Sequence, residues 1–97
     1  MNTTDWLGKG LSSEEINEIK NLAIISAKIE EKRHSLGLNQ KEFAKMMNVT
    51  QGMISKWESG EYNFTITMLE KICSKLDLDF KPIIIDKNAK TTKPAFA

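Results

Sequence analysis

Four stretches of the chain place apolar residues three and four positions apart, which is the spacing of an amphipathic α-helix. The first covers residues 13–36, either as one helix or with a break near Ser26. The others are shorter and cover residues 40–47, 51–58 and 66–76. A residue that can cap a helix precedes each stretch, in order Ser12, Asn39, Thr50 and Thr65. The pattern therefore predicts an all-α fold.

The third stretch has two chemically different sides. Ile54 and Trp57 form an apolar stripe that would face the core. The opposite side carries small or hydrogen-bonding residues, namely Gln51, Gly52, Ser55 and Lys56. Before it, Asn48 can adopt the left-handed backbone conformation that ends one helix and begins a turn. Residues 40–58 are therefore predicted to form a helix-turn-helix.

The polar side of this helix allows two interpretations. A glutamine can form two hydrogen bonds with adenine, and a lysine can reach guanine or a phosphate, so the side is suited to reading DNA. Alternatively, it is only solvated and the helix pair serves as a scaffold. The capped helices, the short turn and the following Ser59-Gly60 together favour DNA binding.

Residues 1–26 form an extension before the helix-turn-helix. Residues 22–25 are apolar on every side of the predicted helix, which a solvated surface helix does not favour. The extension therefore either enlarges the core or takes part in a dimer or partner-protein interface.

The C-terminal region predicts one strand over residues 79–86. Apolar and polar residues alternate there, and Pro82 restricts the strand to a sheet edge. A lone strand leaves its backbone unpaired, so it should pair with a second copy about a two-fold axis or with another protein. The residues predicted to mediate this dimerisation are Phe80, Ile83, Ile84 and Ile85. Residues 87–97 are predicted to form a flexible tail.

Composition narrows the class of protein. At 97 residues the chain is one domain with tails, and its net charge is only +1. Residues 1–31 carry three lysines and six acidic residues, whereas residues 32–97 carry eleven basic and seven acidic residues. The positive charge is therefore mildly concentrated in the half that holds the helix-turn-helix, which predicts modest non-specific affinity for DNA.

Other chemistry is not indicated. The chain has no apolar run long enough to span a membrane and no apolar signal region near residue 1, which predicts a cytoplasmic protein. The single cysteine, Cys73, is expected to be a small buried core residue, and the single histidine, His34, to be solvated. No catalytic constellation, metal motif or cofactor motif is present, so we predict a protein that is not an enzyme.

The chain from residue 29 to about residue 84 resembles the XRE family of phage repressor and Cro-like helix-turn-helix proteins. The matching segments are LGLNQKEFA, NVTQ and ISKWESGE, together with Arg33. The resemblance implies a domain over residues 27–78 that binds double-stranded DNA. It implies contacts to DNA from Gln40, Thr50, Gln51, Gly52, Met53, Ser55, Lys56, Tyr62 and Asn63. It also implies a structural ion pair between Arg33 and Glu58.

Two residues depart from the family pattern. Gly52 has no side chain at a position where the family often places a base-reading residue, so either the DNA approaches the backbone there or the base readout is poorer. Glu61 occupies a position where the family often has a basic residue, and a carboxylate there repels the phosphates of DNA.

The preferred hypothesis is a sequence-specific transcription regulator that acts as a repressor. The antitoxin of a toxin–antitoxin pair is a plausible subtype, because HigA-like antitoxins are similar in having a strand after the helix-turn-helix. The alternative hypothesis is a protein–protein interaction module that uses the same fold without DNA.

Overall fold

The computed structural model describes residues 10–88, which contain four α-helices and no strand. The helices are α1 (Ser13–Ser35), α2 (Gln40–Met47), α3 (Gln51–Trp57) and α4 (Ile66–Leu76). The all-α class and the helix-turn-helix formed by α2 and α3 are as the sequence pattern predicts.

The four predicted caps begin the four helices. Ser12 and Glu15 form a reciprocal capping box at α1, and Asn39 and Glu42 form another at α2. At α3 and α4 a threonine hydroxyl accepts a hydrogen bond from the backbone N–H three residues later, at 3.1 Å in both cases. These contacts satisfy backbone donors that have no partner inside a helix, so local sequence alone sets where each helix starts.

One apolar core holds the helices together. Ile54 and Phe43 lie at its centre and are completely buried. All four helices and the loop before α4 contribute its buried residues, which are Ile29, Phe43, Ala44, Met47, Ile54, Trp57, Phe64, Leu69, Ile72 and Leu76. Cys73 is only half-buried, so the expectation of a buried core cysteine is corrected. It lies at the edge of the apolar stripe of α4.

The first helix is continuous, so the alternative with a break near Ser26 is wrong. Ser26 is buried, and the apolar face of α1 packs on the core from the half-buried Ile25 onward through Ile29. None of the residues before Ser26 in α1 is buried, and Ile19 and Ile24 are 51% and 58% exposed. The described part of the extension therefore adds little to the core, and half of α1 projects from it.

The edge strand predicted for residues 79–86 is not present. Leu78 and Phe80 pack against the core of their own chain, and residues 81–86 have no regular secondary structure. Ile83, Ile84 and Ile85 are 77%, 98% and 66% exposed. A strand requires a hydrogen-bonding neighbour, and the described part of a single chain offers none. Of the predicted flexible tail, residues 87 and 88 form a turn, and the rest lies outside the described residues.

Within residues 10–88, no helix has both the length and the apolar character needed to cross a lipid bilayer.

Candidate nucleic-acid interface

The turn between α2 and α3 is fixed by backbone geometry at three successive residues. Asn48 adopts the left-handed conformation with φ 59°, as its position predicts. The N–H of Val49 then donates to the carbonyl of Ala44 at 3.0 Å, and its side chain packs against the core. Thr50 caps α3. The turn therefore leaves the start of α3 with a defined direction.

The side of α3 away from the core is open to solvent. Ile54 and Trp57 are 0% and 3% exposed, so they fix which side faces inward. The four residues predicted to lie on the opposite side are all exposed, namely Gln51, Gly52, Ser55 and Lys56. Thr50 is also exposed. Met53 differs from them, because it is half-buried and packs against the core. The structure thus brings five of the six predicted DNA-contacting residues at α3 to one accessible surface.

Gly52 is not required by the protein's own packing. A methyl group added there would meet only the hydroxyl of Thr50, at 3.8 Å, which is an ordinary contact. The helix therefore has room for a side chain at this position.

A buried ion pair holds the end of α3 against α1, as the family resemblance implies. Arg33 Nε donates to Glu58 Oε2 at 2.7 Å, and Arg33 Nη2 donates to Glu58 Oε1 at 3.0 Å. The two side chains are only 9% and 4% exposed. A third donor, Arg33 Nη1, bonds the carbonyl of Leu38 at 2.9 Å. The hydrogen bonds to Glu58 raise the pKa of Arg33 above its ordinary value, and they outweigh the opposite effect of burial.

Gln40 belongs to this network rather than to the open surface. It is half-buried, and its Nε2 donates to Glu58 Oε1 at 3.2 Å. The amide nitrogen carries two hydrogens, so one remains for an acceptor outside the protein. The sequence placed Gln40 at the DNA surface without indicating this internal contact, because Glu58 lies 18 residues further along the chain.

The loop after α3 is bonded to α1 through Ser26, near which the sequence pattern allows either a continuous helix or a break. Ser26 Oγ accepts a hydrogen bond from the backbone N–H of Gly60 at 3.1 Å. Gly60 has φ +83°, which favours glycine. A serine lying between apolar residues on the buried face of α1 was the available signal, because a buried hydroxyl needs a partner.

The other predicted contacts in this loop are partly used within the protein. Tyr62 is half-buried, and its ring meets that of Phe64 edge to face with centroids 4.9 Å apart. Asn63 is exposed. Ser59 Oγ accepts from the N–H of Glu61 at 3.1 Å and donates to the carbonyl of Lys56 at 2.7 Å. The loop therefore leaves α3 with a defined path.

Comparison with known proteins identifies one family. A family model described as helix-turn-helix matches residues 29–83, which is more than half of the chain. No curated protein and no solved structure matches the chain.

Proposed function

The chain belongs to the XRE-type helix-turn-helix family, and we propose that it is a sequence-specific transcription regulator that acts as a repressor. In this proposal α3 enters the major groove of double-stranded DNA. The observation that carries the proposal is the open polar side of α3, presented by a helix whose two ends are both held. If these polar residues only faced solvent, the protein would not need to hold both ends of their helix in place.

The proposed contacts follow from the side chains that remain accessible. Gln51, at the start of α3, is placed to form hydrogen bonds with a base edge, and Lys56 to reach guanine or a phosphate. Gln40 has one amide hydrogen left for a phosphate while the other stays on Glu58. Ser55, Gly52 and the cap Thr50 complete the surface. Met53 and Tyr62 contribute less than the sequence suggests, because core packing uses part of each side chain.

The test begins with selection of a binding site from a pool of random duplexes. Gln51→Ala is then expected to relax preference at one base, by roughly 1–3 kcal/mol if the contact is bidentate. The matched control is Asn21→Ala, which removes an exposed amide from the projecting half of α1 and should leave binding unchanged. The logarithm of the affinity should fall with that of the salt concentration, by about 0.9 per phosphate contacted. A parent chain that enriches no sequence, or a Gln51→Ala variant that matches the parent, would contradict the proposal.

We further propose that the protein acts as a homodimer whose C-terminal segments pair as antiparallel strands. The support is the exposed run Ile83–Ile85, which follows a segment already anchored by Leu78 and Phe80. Two copies would then place their α3 helices on half-sites about 34 Å apart. Phe80 contributes less to this interface than predicted, since it packs on its own core.

Sedimentation equilibrium tests the dimer. Ile84→Asp should lower the mass toward that of one chain, because it puts a charge at the most exposed residue of the segment. Ile66→Asp is the control, since Ile66 is 60% exposed and an acidic residue suits the first turn of α4. Equal masses for the parent and Ile84→Asp would remove this segment from the interface.

A second candidate function is a protein–protein interaction module. The observation that favours it is the projecting half of α1, where Ile19 and Ile24 are exposed, together with the exposed Ile83–Ile85. An antitoxin would combine both functions by binding its own promoter and a toxin. Co-expression with the product of the neighbouring gene tests this subtype, and the module without DNA binding predicts that duplex selection fails.

A further inference from the structure

The first helix holds the chain beyond α3 at two points. Arg33 bonds Glu58, the residue that caps the end of α3, and Ser26 bonds the backbone N–H of Gly60. Ser26 and Arg33 are seven residues apart, so they lie on the same face of α1 two turns from each other, about 10 Å along the axis. The two contacts therefore fix both the position and the direction of the chain as it leaves α3.

The contact made by Ser26 has a specific chemical requirement. Ser26 is 3% exposed, and only a side chain with an acceptor atom can satisfy the N–H of Gly60 from that position. The N–H of Gly60 points toward α1, where it donates to Ser26 Oγ, and the Gly60 backbone is left-handed, with φ +83°. An alanine at position 26 would pack equally well in the helix but would leave this N–H without its partner.

The hydrogen bond lies between α3 and the exposed end of the loop. Upstream of it, Glu58 is held by Arg33, and downstream Tyr62 is held by its contact with Phe64. Asn63, the exposed residue that follows, has its position set by this path. Without the bond from Ser26, the loop would keep only the hydrogen bonds of Ser59 and the attachments at Glu58 and Tyr62, and the position of Asn63 relative to α3 would be less closely fixed.

We propose that Ser26 is a positioning residue for DNA binding. By accepting the hydrogen bond from Gly60, it holds the loop of residues 59–63 in the position relative to α3 from which the loop contacts the DNA backbone. The proposal rests on the proposed function, because it assigns the loop a contact with the DNA backbone. Ser26 itself does not touch DNA, since it is buried on the core side of α1.

The first measurement concerns the protein without DNA. Ser26→Ala should accelerate hydrogen exchange at the Gly60 amide by about tenfold or more, measured by NMR below the unfolding transition. Ser35→Ala is the matched control, because Ser35 lies in the same helix, is exposed, and bonds only the carbonyl of Lys32. If Ser26→Ala does not fold, Ser26→Cys keeps the shape of the side chain, with a slightly larger volume, and replaces the hydroxyl by a weak acceptor.

The second measurement concerns affinity for the selected duplex. Ser26→Ala should weaken binding about tenfold, by the same factor for related sequences, because the loop contacts the backbone and not a base. A double-mutant cycle then locates the effect. Asn63→Ala should cost clearly less affinity in the Ser26→Ala background than in the parent, whereas Gln51→Ala should cost the same in both.

The outcomes separate the alternatives. Faster Gly60 exchange with weaker binding and coupling to Asn63 supports the positioning role. An unchanged Gly60 exchange rate overturns it, and so does faster exchange with unaltered affinity, which would leave Ser26 a purely structural residue. A parent chain that binds no duplex overturns the proposed function and the positioning role with it, while the Gly60 exchange rate still reports the hydrogen bond independently.

Discussion

Removal of the Arg33 guanidinium is expected to be strongly destabilising. Arg33→Ala deletes two hydrogen bonds to Glu58, at 2.7 and 3.0 Å, and one to the carbonyl of Leu38 at 2.9 Å. Glu58, whose side chain is 4% exposed, is left with the single hydrogen bond from Gln40. The variant therefore buries a carboxylate whose charge is no longer compensated.

The expected cost follows from that burial. Removing one partner of a buried ion pair costs roughly 3–5 kcal/mol. A domain of this size has a free energy of unfolding of about 5–15 kcal/mol, so the variant should lose about a fifth or more of its stability. Each 1 kcal/mol shifts the midpoint of thermal unfolding by about 4–8 °C at this size, and the midpoint should fall by more than about 12 °C.

The direction of the pKa shift of Arg33 determines the pH range over which its ion pair stabilises the fold. Hydrogen bonding to Glu58 raises the pKa of Arg33 above its ordinary value. For a group whose pKa is raised by folding, the stabilisation is complete below the unfolded pKa and is lost only as the pH rises through the folded one. Because Arg33 stays charged in this range, the difference in free energy of unfolding between the parent and Arg33→Ala should stay constant from neutral to moderately alkaline pH.

Thermal unfolding followed by circular dichroism measures the effect. The control is Lys28→Ala, which breaks an exposed pair on the same helix, with Lys28 Nζ 3.9 Å from Glu31 and both side chains at least 70% exposed. Such pairs contribute less than about 1 kcal/mol. The paired change Arg33→Met with Glu58→Leu should recover most of the lost stability, because it removes both charges. Equal midpoints for Arg33→Ala and Lys28→Ala would refute the reasoning.

Three further changes give distinct results. Gly52→Ala should raise the free energy of unfolding by about 0.5–1 kcal/mol in a urea titration, because the added methyl group has room in α3, and a loss of stability would contradict this. Burial, and then the charges of Glu70 and Asp79, raise the pKa of the Cys73 thiol, so iodoacetamide should alkylate it more slowly at pH 8 than a free thiol. Folding stability should accordingly fall above about pH 9, where the thiol of the unfolded chain ionises, and Cys73→Ala should remove that slope. Lys75→Met deletes the 3.0 Å hydrogen bond from Lys75 Nζ to the carbonyl of Met47 and should cost about 1 kcal/mol, whereas Lys71→Met, on the same helix, should cost little.

What could be predicted from the sequence is what depends on neighbours within one helical turn. A cap such as Asn39 contacts a backbone N–H three residues later, and its partner Glu42 is at the same short distance, so the pair is visible in the sequence. The inward stripe of α3 likewise needs only the helical period, and Ile54 and Trp57 are buried as predicted. The ion pair between Arg33 and Glu58 joins distant residues, and only the family resemblance predicts it.

The contacts that were missed join distant parts of the chain or would involve a second chain. Ser26 and Gly60 are 34 residues apart, and a serine in a helix can equally bond its own preceding turn, so the pattern did not reveal the partner. Gln40 was expected to face outward, but Glu58 attracts one of its amide hydrogens. The alternation in residues 79–86 favoured a strand that the structure does not show, because strand formation depends on a neighbouring backbone, which residues 10–88 of a single chain do not provide.

The short length of α3 explains why its orientation depends on these distant contacts. A helix of seven residues is not stable alone, so its direction must come from what it contacts. The cap Thr50 sets its start, the core residues Ile54 and Trp57 set its rotation, and α1 sets its end through Glu58 and Gly60. Substitutions of Ser26 or Arg33 should therefore weaken binding to all sequences alike, because they change how α3 and its loop are presented. A substitution of Gln51 should instead change preference at one base, because it alters what the helix reads while leaving its placement intact.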